Sequence, residues 1–281
     1  MEQTSNITLL SRPQLKDKAR GTLMGKYGKS ILALFLVSLL GICIQAAVEF
    51  FASMLLSSYI VLKETAINQV PLEQVEILVS STEYMQSYMT WFRPVDYILL
   101  ALTSVFTTVF KVGISYFFLN IACGGTARVA DIFYGFKNQF SKCLKLSAVF
   151  VLVSQLVDIP NATISYLDPN VPLSTTQLII LFAALVMGFI LYTIIYLGIS
   201  QSFFLILDFP NYSAMELLKL SMRIMKGHKL RFLLLELSFI PLMLLSLLTF
   251  GIGNLWLNPY MQLTYTYFFL NLMQTRNTQA N

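Results

Sequence analysis

Ionisable side chains standing inside apolar runs are the residues of this chain best placed to do chemistry. Lys111 lies in the apolar stretch 95–123, and Glu236 stands four residues into the stretch 232–250. A charge in hydrocarbon costs about 2.5 kcal/mol or more unless it is paired, hydrated or able to reach an interface. At about 1.5 Å per helical residue, Lys111 sits roughly 20 Å from the outer end of its stretch. Three readings are open for it: a bridge to Glu236, a functional cation or proton site, or a lysine that snorkels to the inner interface. Gln45 and Gln155, with Asn120 and Gln201, also occupy apolar surroundings. Such amides commonly bond one helix to another. The alternative is a polar path lined by Gln45, Lys111, Gln155 and Glu236.

Little else points to catalysis. The only histidine is His228, and one histidine cannot build a multi-histidine metal site. The sequence has no His-Glu-x-x-His run, no Gly-x-Ser-x-Gly elbow, no P-loop and no dinucleotide fingerprint. Cys43, Cys123 and Cys143 lack CxxC spacing and are expected to be inert thiols. No catalytic residue, metal or cofactor is therefore expected, and the chain reads as a non-enzyme.

The elements that position these residues follow from composition. Of 281 residues, 56% are hydrophobic and only 12% are charged, with a mean hydropathy of +0.69. A soluble domain carries about 25% charged residues, so here too few are left to coat a surface facing water. Six runs, at about 30–53, 95–123, 144–159, 178–207, 232–250 and 255–272, are long enough or nearly so to cross hydrocarbon as helix. The third is the shortest and ends at Pro160. Gly251, Ile252, Gly253 and Asn254 form a turn that makes the last two a hairpin. The polar, basic lead before the first run is too long for a signal peptide.

Loop charges test this division independently. The N-terminal segment carries Arg12, Lys16, Lys18, Arg20, Lys26 and Lys29, whereas the loop 63–96 is acidic through Glu64, Glu73, Glu76, Glu83 and Asp96. Segment 124–145 is basic through Arg128, Lys137, Lys142 and Lys145, and 158–176 holds no basic residue. Lys219, Arg223, Lys226, Lys229 and Arg231 cluster before the fifth run, and Arg276 follows the sixth. Basic and non-basic loops alternate, as six spans with both ends in the cytoplasm require. The net charge of +5 reports orientation, and no nucleic-acid partner is expected.

Segments 14–27 and 213–226 read as short amphipathic helices of the headgroup layer. In the second, Leu217, Leu218, Ser221, Met222 and Met225 form the apolar stripe, and Asn211 or Ser213 caps it with support from Glu216. Both run into junctions of glycine and basic residues, where Lys26, Lys29, Lys226, His228, Lys229 and Arg231 are expected to contact anionic lipid. A fainter junction at Gly135 and Lys137 precedes the third run. Two readings stay open: a three-fold pseudo-repeat of surface helix plus hairpin, or the general tendency of cytoplasmic helix entries to collect glycine and lysine. In the acidic loop, Leu72, Val75, Ile77, Leu78 and Tyr84 suggest one amphipathic helix.

From Ser221 onward a family pattern emerges. Ser221, Met225, Lys226, Gly227, His228, Lys229, then Leu237 to Ile240, then Leu247, Leu248, Thr249, Gly251, Ile252 and Gly253, then Trp256, Pro259 and Tyr260 resemble the polytopic membrane family known as domain of unknown function 975. Arg12, Leu15, Lys16, Ala19, Leu23, Gly25 and Gly28 are similar to its usual opening. Pro241 departs from the pattern, and the charged residues common after the last span are thinned to Asn271 and Arg276. The resemblance implies a bacterial cytoplasmic membrane protein and brings no established activity.

The expectation is thus an all-α, six-helix transmembrane bundle with basic amphipathic surface helices. Its leading role is that of a non-enzymatic interaction or accessory protein, with membrane lipids and a protein partner or second copy as its company. The alternative is a small transporter for a lipid-like or amphiphilic substrate.

Overall fold

The computed structural model describes residues 9–80, 82–165 and 174–280, and every regular element among them is helical. Ser11 opens α1 (Arg12–Leu23), its N–H donating to Gln14 Oε1 at 2.8 Å. Gly25, at φ +77°, turns the chain into α2 (Tyr27–Leu62), which runs on through a π-helical turn, Lys63–Ile67. Then come α3 (Leu72–Ser80), α4 (Thr82–Thr108) and α5 (Phe110–Ala122). A 3₁₀ turn, Val129–Phe133, and α6 (Tyr134–Lys137) lead into α7 (Phe140–Ser165). The remainder is α8 (Thr175–Ile199), α9 (Ser202–Asp208), α10 (Ala214–Ile224), α11 (Lys229–Leu237), α12 (Ile240–Leu248) and α13 (Asn254–Ala280).

Among the described residues, five segments are long and apolar enough to cross a membrane: Tyr27–Ile67, Phe92–Ala122, Phe140–Asp158, Thr175–Asp208 and Lys229–Leu248. They coincide with five of the six expected runs, with shifted ends. The third does not stop at Pro160, because α7 continues to Ser165. Of the non-basic loop beyond it, residues 166–173 lie outside the described ones. In the acidic loop, Val75 is buried and Leu72 and Ile77 are exposed, and the side chains of Leu78 and Tyr84 lie outside the described residues. The sixth run falls within α13, a single helix of 27 residues that is less apolar than the others. Its polar Thr264, Thr266 and Asn271 are buried alongside Leu263, Phe268 and Phe269. They face protein, so this helix does not need the uniform apolarity of a lipid-facing one.

Burial divides the molecule into two layers. In one, Leu15, Ala19 and Leu23 of α1, Phe117 and Phe118 of α5, Leu205 of α9, Leu217 of α10 and Phe239 before α12 share one core. In the other, α2 exposes Phe50 and Leu55, α8 exposes Phe182 and Phe189, and α12 exposes Leu244 and Leu248. Three helices break near this boundary, between α4 and α5, α8 and α9, and α11 and α12. At the last, Pro241 occupies the first turn of α12, where its missing N–H is tolerated but cannot continue α11.

The packed layer also gathers the basic segments. Leu10 N–H donates to Asn271 Oδ1 at 3.0 Å, and the Thr22 and Tyr267 hydroxyls bond at 2.7 Å. Lys142 Nζ donates to Pro210 O, and Arg231 to Leu10 O. The sequence pattern places the two amphipathic helices in the headgroup layer and does not say what covers their apolar stripes. Their stripes turn into the protein core, and Ser221 of α10 donates to Gly198 O at 2.7 Å. Of the predicted α10 stripe only Met222 is exposed. A helix pattern reports that a face is buried without saying what buries it.

Candidate functional site

Where the broken helices meet, a cavity of about 200 Å³ opens in the packed layer. α5 supplies Lys111 and Ser115, α7 supplies Phe150, and α8 supplies Tyr196. Ser200, Gln201 and Phe203 come from the α8–α9 break, Phe232 from α11, and Gln262 and Tyr265 from α13. Lys111 is exposed, so the cavity opens past its side chain. Its ammonium lies 5.8 Å from the ring centroids of both Phe150 and Phe203. Gln201 is 1% exposed. Its Nε2 donates to Ser200 Oγ at 2.9 Å, while Oε1 has no hydrogen-bond partner among the described residues. The site therefore offers one cation, one unmet acceptor, two phenols and an aromatic wall.

The four sequence-derived candidates do not converge. Glu236 makes no ion pair with Lys111 and does not line the cavity. It lies within electrostatic reach of Tyr192, Tyr196 and Tyr265. Gln45 ties α2 to α4, accepting from Thr103 Oγ1 at 2.9 Å and donating to Glu49 at 2.8 Å. Gln155 sits half-buried on α7, away from the cavity lining. The polar path through all four is not formed. Gln201, noted only as an amide in an apolar run, proves the more informative residue. Its place beside Lys111 depends on a helix break that apolar periodicity does not register.

The expected lipid contacts divide in two. Lys229 Nζ donates to Ile194 O at 3.1 Å, and Arg231 holds Leu10, so both serve the fold. Lys29 and Lys226 are exposed, and Lys26 is half-buried. His228, with Arg223, Lys226, Thr275 and Arg276, lines a second pocket of about 270 Å³ at the packed end, with no acid in the lining. Burial and the nearby Arg231 guanidinium push the His228 pKa below its usual value, so the ring is neutral near pH 7. Arg223 of the basic cluster and the lone Arg276 of the tail are not among the lipid contacts expected from the sequence. Among the described residues, no three of His, Cys, Asp and Glu gather as a metal site would require. All three cysteines are free thiols, Cys143 buried and Cys43 and Cys123 exposed.

A family model described as protein of unknown function (DUF975) matches residues 9–276. The chain belongs to this family. The match spans α1 through the basic end of α13, so both pockets lie inside the family region of the DUF975 chain. Neither the curated proteins nor the solved structures hold a match to it.

Proposed function

We propose that this DUF975 protein crosses a bacterial cytoplasmic membrane six times, with the packed basic end in the cytoplasm. In this reading it acts without catalysis, as an interaction or accessory protein that gathers anionic lipid at that end. The observation that carries it is the pocket lined by Arg223, Lys226 and Arg276, a concentration of positive charge with no acid in its lining. Such a cluster beside the headgroups attracts anionic lipid by roughly 1 kcal/mol per basic residue.

Six crossings are supported by where the two ends of the chain lie. The Leu10–Asn271 and Thr22–Tyr267 bonds hold α1 against the later part of α13, so the number of crossings between them is even. Five apolar segments plus α13 meet that condition. A three-fold pseudo-repeat is supported by three left-handed joints, Gly25 at φ +77°, Gln139 at +56° and Gly227 at +85°, each leading from a short helix into a spanning one.

The test compares thermal stability in zwitterionic nanodiscs with that in nanodiscs containing anionic phospholipid. Wild-type protein gains stability from the anionic lipid, and the gain shrinks at high salt. Combined Arg223→Gln, Lys226→Gln and Arg276→Gln substitution removes most of it. An equal gain in the triple variant contradicts the reading. Carriage of an amphiphile across the membrane is the second reading, favoured by one feature, the open cavity at Lys111.

A further inference from the structure

We propose that the Lys111–Gln201 cavity is a binding site for the head of an anionic amphiphile carrying a hydroxyl group, such as a glycerol phosphodiester. The proposal rests on the reading of the chain as a lipid-contacting membrane protein, but uses residues distinct from its basic face.

Two unmet groups share the cavity. The Lys111 ammonium has two aromatic rings for company and neither a carboxylate nor a hydrogen-bond acceptor among the described residues. A cation so placed is short of the anionic oxygen that would satisfy it. Gln201 Oε1 is a buried acceptor without a donor, and buried amide oxygens are nearly always hydrogen-bonded. An acid alone would satisfy the lysine and leave the amide unmet. A neutral alcohol would do the reverse. A head with an anionic oxygen and a hydroxyl donor answers both.

Size and position select an amphiphile over a free anion. At about 200 Å³ the cavity has room for a head and none for a long chain. Phe150, Phe203 and Phe232 make much of its wall aromatic, which suits the apolar base of a head better than a hydrated ion. Lys111 opens the cavity just past the α4–α5 break, and Leu102 on α4 before that break is exposed. An acyl chain leaving the cavity there stays in hydrocarbon while its head stays with Lys111.

The test uses detergent-purified full chain and native mass spectrometry, titrating phosphatidylglycerol against phosphatidylmethanol, which has the same charge and no hydroxyl. Wild-type protein retains one phosphatidylglycerol more tightly than phosphatidylmethanol, by about twofold to tenfold, the span of one net hydrogen bond. Lys111→Gln weakens both lipids by about tenfold or more, as loss of a charge-assisted bond requires, and Lys111→Arg restores much of it. Gln201→Leu abolishes the preference and leaves phosphatidylmethanol retention unchanged. Glycerol phosphate without acyl chains binds more weakly than either lipid. Retention indifferent to Lys111→Gln in a variant that elutes as folded protein overturns the proposal, as does a cavity taking only water or free glycerol phosphate. The Arg223, Lys226 and Arg276 triple variant keeps the hydroxyl preference, so failure at the basic face and failure at this cavity are read separately.

Discussion

Four cations of the packed layer, Lys16, Lys142, Lys229 and Arg231, hold backbone carbonyls. Lys16 Nζ donates to Ser238 O at 2.9 Å and lies 4.1 Å from the Phe239 ring centroid, stitching α1 to the α11–α12 break. Burial, and then the charge of Arg12, lower the Lys16 pKa, the cost of placing an ammonium against that break. Lys229 holds Ile194 O near the end of α8. Carbonyls at helix ends and breaks lack intrahelical donors and attract cations, so these residues have a structural role. Lys111 has no such carbonyl and instead stands beside the Phe150 and Phe203 rings in the cavity lining. His228 leads to a prediction about pH. Its folded pKa lies below the ordinary 6.5, so the unfolded chain binds a proton that the folded chain resists. Stability is therefore highest above pH 6.5 and falls as the pH drops below it. Thermal unfolding of wild-type and His228→Gln protein between pH 7.5 and about 5.5 checks this. The variant shows the shallower loss, and parallel profiles contradict the assignment.

At the scale of elements, glycine sets the approach of helices. A Cβ on Gly113 of α5 would overlap the Ile132 carbonyl, and one on Gly188 of α8 would overlap that of Leu156 on α7. Because the obstruction is backbone, the neighbour cannot rotate away. Gly113→Ala is predicted to destabilise by about 3 kcal/mol, the upper part of the usual overpacking range, lowering the unfolding midpoint in detergent. Gly28→Ala, with open space around its site, is the control and leaves the midpoint within about 0.5 kcal/mol of wild type. Five apolar segments and the Ser213 cap of α10 were legible in the sequence. The cap is built as expected, Glu216 N–H donating to Ser213 Oγ at 3.3 Å. Hydrogen bonds from Ser213 in turn hold the Glu216 carboxyl below its usual pKa. Pro241 read as a family departure, and its physical role as a helix break was visible only in three dimensions. The partners of the amphipathic faces were not legible either. Periodicity places Leu15, Ala19 and Leu23 on one side of α1, yet cannot distinguish lipid from the α13 surface they meet. The Lys111–Gln201 juxtaposition was hidden for a related reason: its residues are 90 positions apart and meet through two helix breaks.

The whole molecule combines a packed, basic end with a looser apolar end, and the proposed orientation follows from that asymmetry. Basic segments around α1, α6, α10 and the end of α13 meet at one end, while the acidic loop between α2 and α4 follows the apolar length of α2. An α13 that crosses can be less apolar than the five segments before it, since its Thr264, Thr266 and Asn271 are covered by protein. Labelling with a membrane-impermeant maleimide in intact cells tests this most directly. The protein would carry Cys43→Ser, Cys123→Ser and Cys143→Ser with either Ile252→Cys in the α12–α13 turn or Arg276→Cys beyond the buried part of α13. The account predicts that Ile252→Cys is labelled from outside and that Arg276→Cys is labelled only after the membrane is opened. Labelling of both positions from the same side would mean that α13 does not cross, and the six-span account would be wrong.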